Sequence, residues 1–225
     1  MQRRGFIVRS AAAAMGLGTL APRGAEAAQP PAQQTTPRPT NRIAVSTYSY
    51  WRYRADSKLQ IEDCLALAAD MGFDAVEILE KQMHRKDHAY LQSLKRLALL
   101  AGLDLCGLST HQTFVSPKVE ERQANIEITI ASLELAYALG IPTVRINTGR
   151  WGTIKDFDEL MKNRGIEPPL PGYTDEDAFP WVVEAIEKCL PTAEKCGVVL
   201  GLENHWGLAR TPEGLLRIVD AVHSP

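Results

Sequence analysis

The chain repeats one local pattern in which a helical segment ends at a glycine and a short apolar strand follows. Apolar residues three or four apart predict helices that stop at a glycine, a residue that closes helices in the left-handed conformation. A further helix is expected to begin at Thr211-Pro212-Glu213, with a capping threonine and a first-turn proline. The predicted strands are Ile43–Tyr48, Ala75–Leu79, Leu105–Thr110, Thr143–Asn147 and Val198–Glu203, and the terminating glycines are Gly72, Gly102, Gly140 and Gly197. The sequence therefore predicts five consecutive β-α units.

This alternation predicts an α/β fold with a parallel sheet, either an open doubly wound sheet or a (β/α)₈ barrel. The first strand runs into the letters STYSYW rather than into a glycine-rich phosphate loop, which disfavours a dinucleotide-binding sheet. In the later strands apolar residues such as Val76 and Ile78 alternate with polar ones, as in a barrel wall. We therefore expect a partial TIM (β/α)₈ barrel. A whole barrel takes about 250 residues, so about five of eight units are present and about three are expected to follow Pro225.

The first residues have the composition of an export signal. Arg3 and Arg4 precede an apolar run and a small-residue site at Ala25-Glu26-Ala27, which predicts a twin-arginine-type signal peptide over residues 1–27. The apolar run is too short to span a bilayer, so no membrane anchor is expected after cleavage. We expect a flexible, proline-rich leader over residues 28–41, the barrel units over residues 42–225, and a periplasmic or otherwise exported protein.

Charge and cysteine content argue against two further classes of protein. The formal net charge is −2, and removal of the arginine-rich signal makes the remaining chain more acidic, so no nucleic-acid partner is expected. The four cysteines include no Cys-x-x-Cys pair, which leaves a zinc ribbon unsupported. Cys189 and Cys196 lie on one predicted helix, too far apart along its axis to form a disulfide. We therefore expect free thiols.

Polar residues follow the apolar part of each predicted strand at its carboxyl end. Since residues i and i+2 of a strand share a face, Glu203 and His205 are expected on the same side of the last strand. Barrel enzymes keep their chemistry at this end of the strands, which predicts a ring of polar groups around the barrel mouth. Taken singly, Glu77 could be a plain surface acid, and Arg145 could merely neutralise a carboxylate. The predicted ring comprises Tyr48, Glu77, Ser109, His111, Arg145, Asn147, Glu203 and His205.

Four segments follow one another in a characteristic order and spacing. They are GFDAVEILE (72–80), GLSTHQTF (107–114), TVRINTG (143–149) and VVLGLENHWG (198–207). Together they resemble the xylose-isomerase-like (β/α)₈ superfamily, which holds sugar isomerases, ketose 3-epimerases and apurinic-site endonucleases. The resemblance covers residues 42–225. Residues 163–177 and 202–225 are also similar to an often exported branch described as sugar phosphate isomerase/epimerase.

The resemblance implies a role for the polar residues at the barrel mouth. In that superfamily the acid ending the fifth strand binds a divalent metal ion and, in the epimerases, also moves the proton; that position is Glu203. The remaining metal ligands come from strands six to eight. The implied cofactor is Mn, Mg, Co or Zn, with its other ligands expected after Pro225. The implied substrate-binding residues are His111, Asn147, His205, Glu77 and Arg145.

The implied function is that of a metal-dependent sugar isomerase or epimerase, which moves a proton alpha to the carbonyl of a keto-sugar. Activity is expected of a full-length protein, and activity of the 225 residues alone is left open. Alternatives are a lyase or hydrolase of oxidised sugars, a non-catalytic carbohydrate-binding half-barrel, and a relative of apurinic-site endonucleases. The expected partner is a small-molecule carbohydrate, and homo-oligomer formation is left open. Trp206 either walls a sugar pocket or covers the barrel top.

Overall fold

The computed structural model describes residues 41–51 and 55–224. The predicted signal peptide and the leader up to residue 40 lie outside the described residues. The strands are β1 (Ala44–Ser46), β2 (Ala75–Leu79), β3 (Asp104–Ser109), β4 (Thr143–Ile146) and β5 (Val199–Leu202). The helices are α1 (Tyr48–Trp51), α2 (Ile61–Asp70), α3 (His88–Ala101), α4 (Val119–Leu139), α5 (Phe157–Lys162), α6 (Asp175–Cys196) and α7 (Pro212–Ala221), with 3₁₀ turns at Ala55–Ser57, Glu80–Gln82 and Gly207–Arg210.

Local capping fixes where the long helices begin and end. The Asp87 carboxylate accepts a hydrogen bond from the Tyr90 N–H at the start of α3. Helices α3, α4 and α6 end at glycines with left-handed φ values of 72°, 70° and 63°. The predicted order of helix, glycine and strand is therefore confirmed at Gly102, Gly140 and Gly197.

All the strands pair in parallel and in chain order, β1-β2-β3-β4-β5. Crossovers between parallel strands are right-handed in nearly all proteins, so successive steps in one direction place the crossover helices on one face. These helices pack in sequence, α2 on α3, α3 on α4, α4 on α6 and α6 on α7. A doubly wound sheet instead reverses direction and carries helices on both faces. The predicted α/β fold, part of a TIM barrel, is thus confirmed.

The hydrophobic core lies between the sheet and the layer of helices. Val76 and Ile78 of β2 and Val144 and Ile146 of β4 are buried on the face that the helices cover. Glu77 lies between the first two in sequence and is half-buried on the opposite face. The alternation predicted from the sequence therefore directs polar side chains to the inside of the barrel wall.

An extra residue in β3 sets the surroundings of Glu77. Val76 pairs with Leu105 but Glu77 pairs with Gly107, so Cys106 is the additional residue of a β-bulge. A Cβ atom at Gly107 would lie 3.2 Å from Glu77 Cγ. The absence of a side chain at Gly107 therefore lets the Glu77 side chain lie over the neighbouring strand.

The first strand is shorter than predicted, and Tyr48 is not part of it. The Thr47 N–H donates to the Glu77 carbonyl, and the Thr47 hydroxyl accepts from the Leu79 N–H, both at 2.9 Å. The Thr47 carbonyl instead accepts from the Tyr50 N–H at 3.1 Å, which turns the chain into α1. The prediction that Tyr48 lies on the inner strand face is wrong for this reason, although Tyr48 still borders the cavity described below.

The segment between β4 and α6 departs most from the predicted pattern. It contains α5, which the apolar spacing does not predict, and α6 begins at Asp175, ahead of its first buried residue, Ala178. The Asp177 carboxylate accepts hydrogen bonds from the N–H and the hydroxyl of Thr174, at 2.8 Å and 2.7 Å. This capping box therefore begins α6 before the first residue of its apolar face.

The four cysteines are free thiols. Burial is the main cause that raises the pKa of the Cys64 and Cys189 thiols to about 11, so both remain protonated at neutral pH. Among the described residues, no helix combines the length and the hydropathy that a membrane span requires.

The loop after β5 approaches the loop after β4 so closely that a side chain does not fit at position 207. Gly207 has a φ of 77°, and an added Cβ would overlap the Gly149 carbonyl oxygen. We expect Gly207→Ala to lower the free energy of unfolding by roughly 3 kcal/mol. The alanine would have to adopt the left-handed conformation, and its Cβ would displace the packed loop. Gly72→Ala is the matched control, because Gly72 has a φ of 82° but nothing within 4 Å of an added Cβ. Urea denaturation should show a smaller loss for this control, about 1–2 kcal/mol, and equal losses would contradict the proposed steric contact.

Candidate active site

A cavity of about 1090 Å³ opens at the carboxyl ends of the strands. All six residues predicted to bind metal or substrate line it, although they come from four different strand ends. The structure therefore brings the predicted set together in space, and the role of each residue stays a prediction. The six are Glu77, His111, Arg145, Asn147, Glu203 and His205.

Glu203 and Arg145 form an ion pair in the cavity wall. The Glu203 N–H extends the sheet beyond β5 by donating to the Ile146 carbonyl at 2.8 Å. Arg145 Nη1 donates to the Thr110 carbonyl at 2.9 Å and lies 3.4 Å from Glu203 Oε2. The backbone thus orients the guanidinium, which attracts the carboxylate mainly through its charge. Glu203 Oε2 is buried and has no hydrogen-bond partner in the described part of the chain, so it remains free to accept a proton or a cation.

His205 directs an N–H group into the same region. Its Nδ1 accepts a 2.7 Å hydrogen bond from the backbone N–H of Trp206. The proton of the neutral ring therefore lies on Nε2. This Nε2 lies 3.9 Å from Glu203 Oε2, beyond hydrogen-bond distance. Burial is the main cause that lowers the pKa of His205, while Glu203 raises it and Arg145 lowers it. His205 is therefore a neutral ring that carries its proton on Nε2.

His111 follows β3 at the opening of the cavity. The His111 side chain is exposed, but neighbouring protein atoms displace part of the water around its ring. This desolvation is the main cause that lowers the pKa of His111 to about 4. The charges of Arg145 and Lys81 lower the pKa further. At neutral pH the ring is therefore uncharged.

A buried hydrogen-bond network joins the ends of β3 and β4. Gln112 donates to the Asn147 carbonyl at 3.1 Å and accepts from the Thr110 hydroxyl at 2.7 Å. The Asn147 side-chain oxygen accepts from the Gly149 N–H at 2.8 Å. Gln112 also lines the cavity, yet strand alternation does not select it. The chain leaves the strand after Ser109, so the two-residue period no longer applies there.

Aromatic and loop residues form the outer wall of the cavity. The Trp206 and Phe157 rings lie 5.9 Å apart between centroids, and both residues line the cavity. Gly165 lies against the Trp206 ring, where an added Cβ would be 2.6 Å from Cδ1. Trp206 is therefore part of the wall of this cavity. Phe157, Met161 and Arg150 also line the cavity but belong to the unpredicted segment between β4 and α6.

The described residues alone do not form a metal site. Glu203 fits as one ligand, because its Oε2 is a buried carboxylate oxygen without a hydrogen bond. Residues 41–51 and 55–224 contain no group of three or more His, Cys, Asp or Glu side chains that could hold a metal ion. Divalent ions take roughly four to eight donors in proteins. Completing such a site would therefore need donors from outside the described residues.

We predict that His111 titrates at about pH 4, as NMR of its ring protons can measure. Arg145→Met and Lys81→Met should each raise this pKa, because a nearby positive charge disfavours the protonated ring. Arg217→Met is the matched control, since Arg217 is exposed and pairs with Glu176. A folded-state pKa below the unfolded value means that His111 lowers stability as the pH falls from about 6.5 towards 4. A wild-type midpoint near 6.5 would contradict the described surroundings of this ring.

Three solved structures share this fold at low sequence identity. A D-psicose 3-epimerase from Clostridium cellulolyticum H10, solved with D-tagatose, is 20% identical, with a TM-score of 0.60 over 81% of this chain and 60% of the other. A D-psicose 3-epimerase solved in the presence of D-fructose is 18% identical, with a TM-score of 0.61 over 82% and 61%. The IOLI protein, solved with a zinc atom, is 17% identical, with a TM-score of 0.62 over 82% and 60%. The chain thus spans about 60% of the length of these proteins.

Sequence comparison gives the family. No curated protein matches the chain significantly. Residues 65–225, however, match the family described as xylose isomerase-like TIM barrel. This match covers most of the chain and agrees with the parallel sheet and its outer layer of helices. The chain belongs to the xylose isomerase-like TIM barrel family.

Proposed function

We propose that this protein is a sugar isomerase or epimerase that transfers a proton at the carbon next to the carbonyl of a keto-sugar. The observation that carries the proposal is Glu203 Oε2, a buried cavity oxygen beside Arg145 that has no hydrogen-bond partner among the described residues. Family membership and two D-psicose 3-epimerases of the same fold support this class of reaction.

The residues around Glu203 suit proton transfer. Removing a proton alpha to a carbonyl needs a base near the carbon and stabilisation of negative charge on oxygen. The Glu203 carboxylate, whose side chain is 40% exposed, would take the proton. Arg145 and the Nε2–H of His205 lie at the same end of the cavity and would donate hydrogen bonds to the developing enediolate oxygen. Returning a proton to the opposite face inverts the carbon, and we expect the second carboxylate outside the described residues.

We also propose a divalent metal cofactor, Mn, Mg, Co or Zn. When bound, such an ion polarises the carbonyl and stabilises the enediolate charge. Glu203 would provide one oxygen ligand, with the other donors outside the described residues. The zinc atom in the IOLI structure, which shares this fold, supports a metal and leaves the choice of metal open.

The proposed substrate is a small carbohydrate. His111, His205 and Asn147 line the cavity with polar groups suited to sugar hydroxyls. The sugars named with the two epimerase structures are D-tagatose and D-fructose. The predicted twin-arginine signal supports export to the periplasm. A net charge of −2 gives no support to a nucleic-acid substrate.

We predict that Glu203→Gln abolishes most activity of the natural protein on ketohexoses such as D-tagatose or D-fructose. Loss of the base should lower kcat by about 10²–10⁴-fold. Because the variant also loses a charged ligand, bound metal should fall when measured by elemental analysis of the purified protein. Epimer formation measured by chromatography gives the rate.

Glu176→Gln is the matched control, since Glu176 is exposed and pairs with Arg217 away from the cavity lining. It should keep wild-type kcat and metal content. Wild-type turnover by Glu203→Gln would contradict the role of Glu203 as the base. Absence of any ketose turnover by the metal-loaded wild type would contradict the proposed reaction class.

A further inference from the structure

We propose that Arg150 binds a hydroxyl group of an uncharged sugar, and that Glu167 is the positioning residue that orients Arg150 and neutralises it. This pair would make the β4–α6 side of the cavity select an uncharged carbohydrate over a phosphorylated one. The inference rests on the proposed function and specifies its substrate class.

Glu167 is a buried internal anion behind the cavity wall. Its side chain is 3% exposed. It accepts hydrogen bonds from Arg150 Nη1 and the Gly152 N–H, both at 2.6 Å, and from the Ile154 N–H at 3.1 Å. Two backbone N–H groups and a guanidinium are the donors that bind phosphate in many proteins. Here the carboxylate of the chain itself already occupies them.

Arg150 has donors left for a ligand. Its Nη1 donates to Glu167 and to the Ile154 carbonyl at 3.0 Å, and these are the hydrogen bonds that its side chain makes within the described residues. A guanidinium carries five N–H groups in one plane, so those on Nε and Nη2 remain. The side chain is 29% exposed and lines the cavity. Because Glu167 fixes one edge of the Arg150 guanidinium, the opposite edge is held in place to donate to a sugar oxygen.

The charges around the cavity balance. The basic residues in its lining are Lys81, Arg145 and Arg150, and the acidic ones are Glu77 and Glu203. Glu167, directly behind Arg150, supplies the third negative charge. A sugar phosphate would bring at least one negative charge to a wall in which Arg145 and Arg150 already pair with carboxylates, whereas a hydroxyl needs only a donor. The described wall therefore suits an uncharged polyol.

The test compares a ketohexose with its terminal phosphate ester in wild type and Glu167→Gln. We expect wild type to prefer the uncharged sugar in kcat/KM, and the variant to lose about tenfold of that preference because Arg150 then carries an uncompensated charge. Calorimetric titration with inorganic phosphate should likewise show about tenfold tighter binding to the variant than to wild type. Glu184→Gln, which removes an exposed charge paired with Lys188 on α6, should change neither result.

A second variant keeps the test decisive if Glu167→Gln does not fold. Arg150→Gln leaves Glu167 bonded to the two backbone N–H groups, so the loop should persist. We expect its KM for the ketohexose to rise about tenfold with kcat nearly unchanged, since a binding contact is lost rather than the base.

The outcomes separate this inference from the proposed function. An unchanged KM in Arg150→Gln, or equal phosphate affinity in wild type and Glu167→Gln, would overturn the assigned roles. Phosphate binding requires no turnover. If wild type converts neither sugar, the proposed reaction fails, while the phosphate titration still decides whether Glu167 controls the charge at Arg150.

Discussion

The handedness of the strand crossovers determines where the other parts of this molecule lie. Each step from β1 to β5 moves one strand further in the same direction, and right-handed crossovers then place the helices on one face. Because these strands run parallel, their carboxyl ends meet at one edge of the sheet. Glu77, Arg145 and Glu203, which are far apart in sequence, line one cavity for this reason. The candidate site thus follows from the topology of the sheet.

Close backbone contacts then fix the loops above that edge. An added Cβ at Gly149 would overlap Thr113, and one at Gly207 would overlap Gly149, so the loops after β3, β4 and β5 touch in turn. Trp206 lies within this contact, against Gly165. The backbone N–H of Trp206 sets the tautomer of His205, whose Nε2 faces Glu203. The backbone of this loop therefore fixes which nitrogen of His205 carries the proton.

Much of the fold and part of the site could be predicted from the sequence, because both depend on short-range periodicity. The glycine stops give the order of units, and strand alternation selects Glu77, Arg145 and Glu203. Tyr48 lies outside β1, contrary to the prediction, because the Thr47 carbonyl accepts a hydrogen bond from the Tyr50 N–H and the strand ends there. Arg150 and Glu167 could not be found in this way. They lie in a segment without a repeating pattern, and their pairing depends on its three-dimensional course.

The most direct test of the central claim, proton transfer at a carbon next to a carbonyl, is hydrogen exchange with solvent. The natural protein, loaded with a divalent metal, would be incubated with a ketohexose in D₂O, and the sugar followed by NMR. The proposed reaction predicts that deuterium from solvent appears on the carbon adjacent to the carbonyl as the epimer or isomer forms. Conversion of the sugar with its original hydrogen retained, or a sugar that stays unlabelled and unconverted, would contradict it.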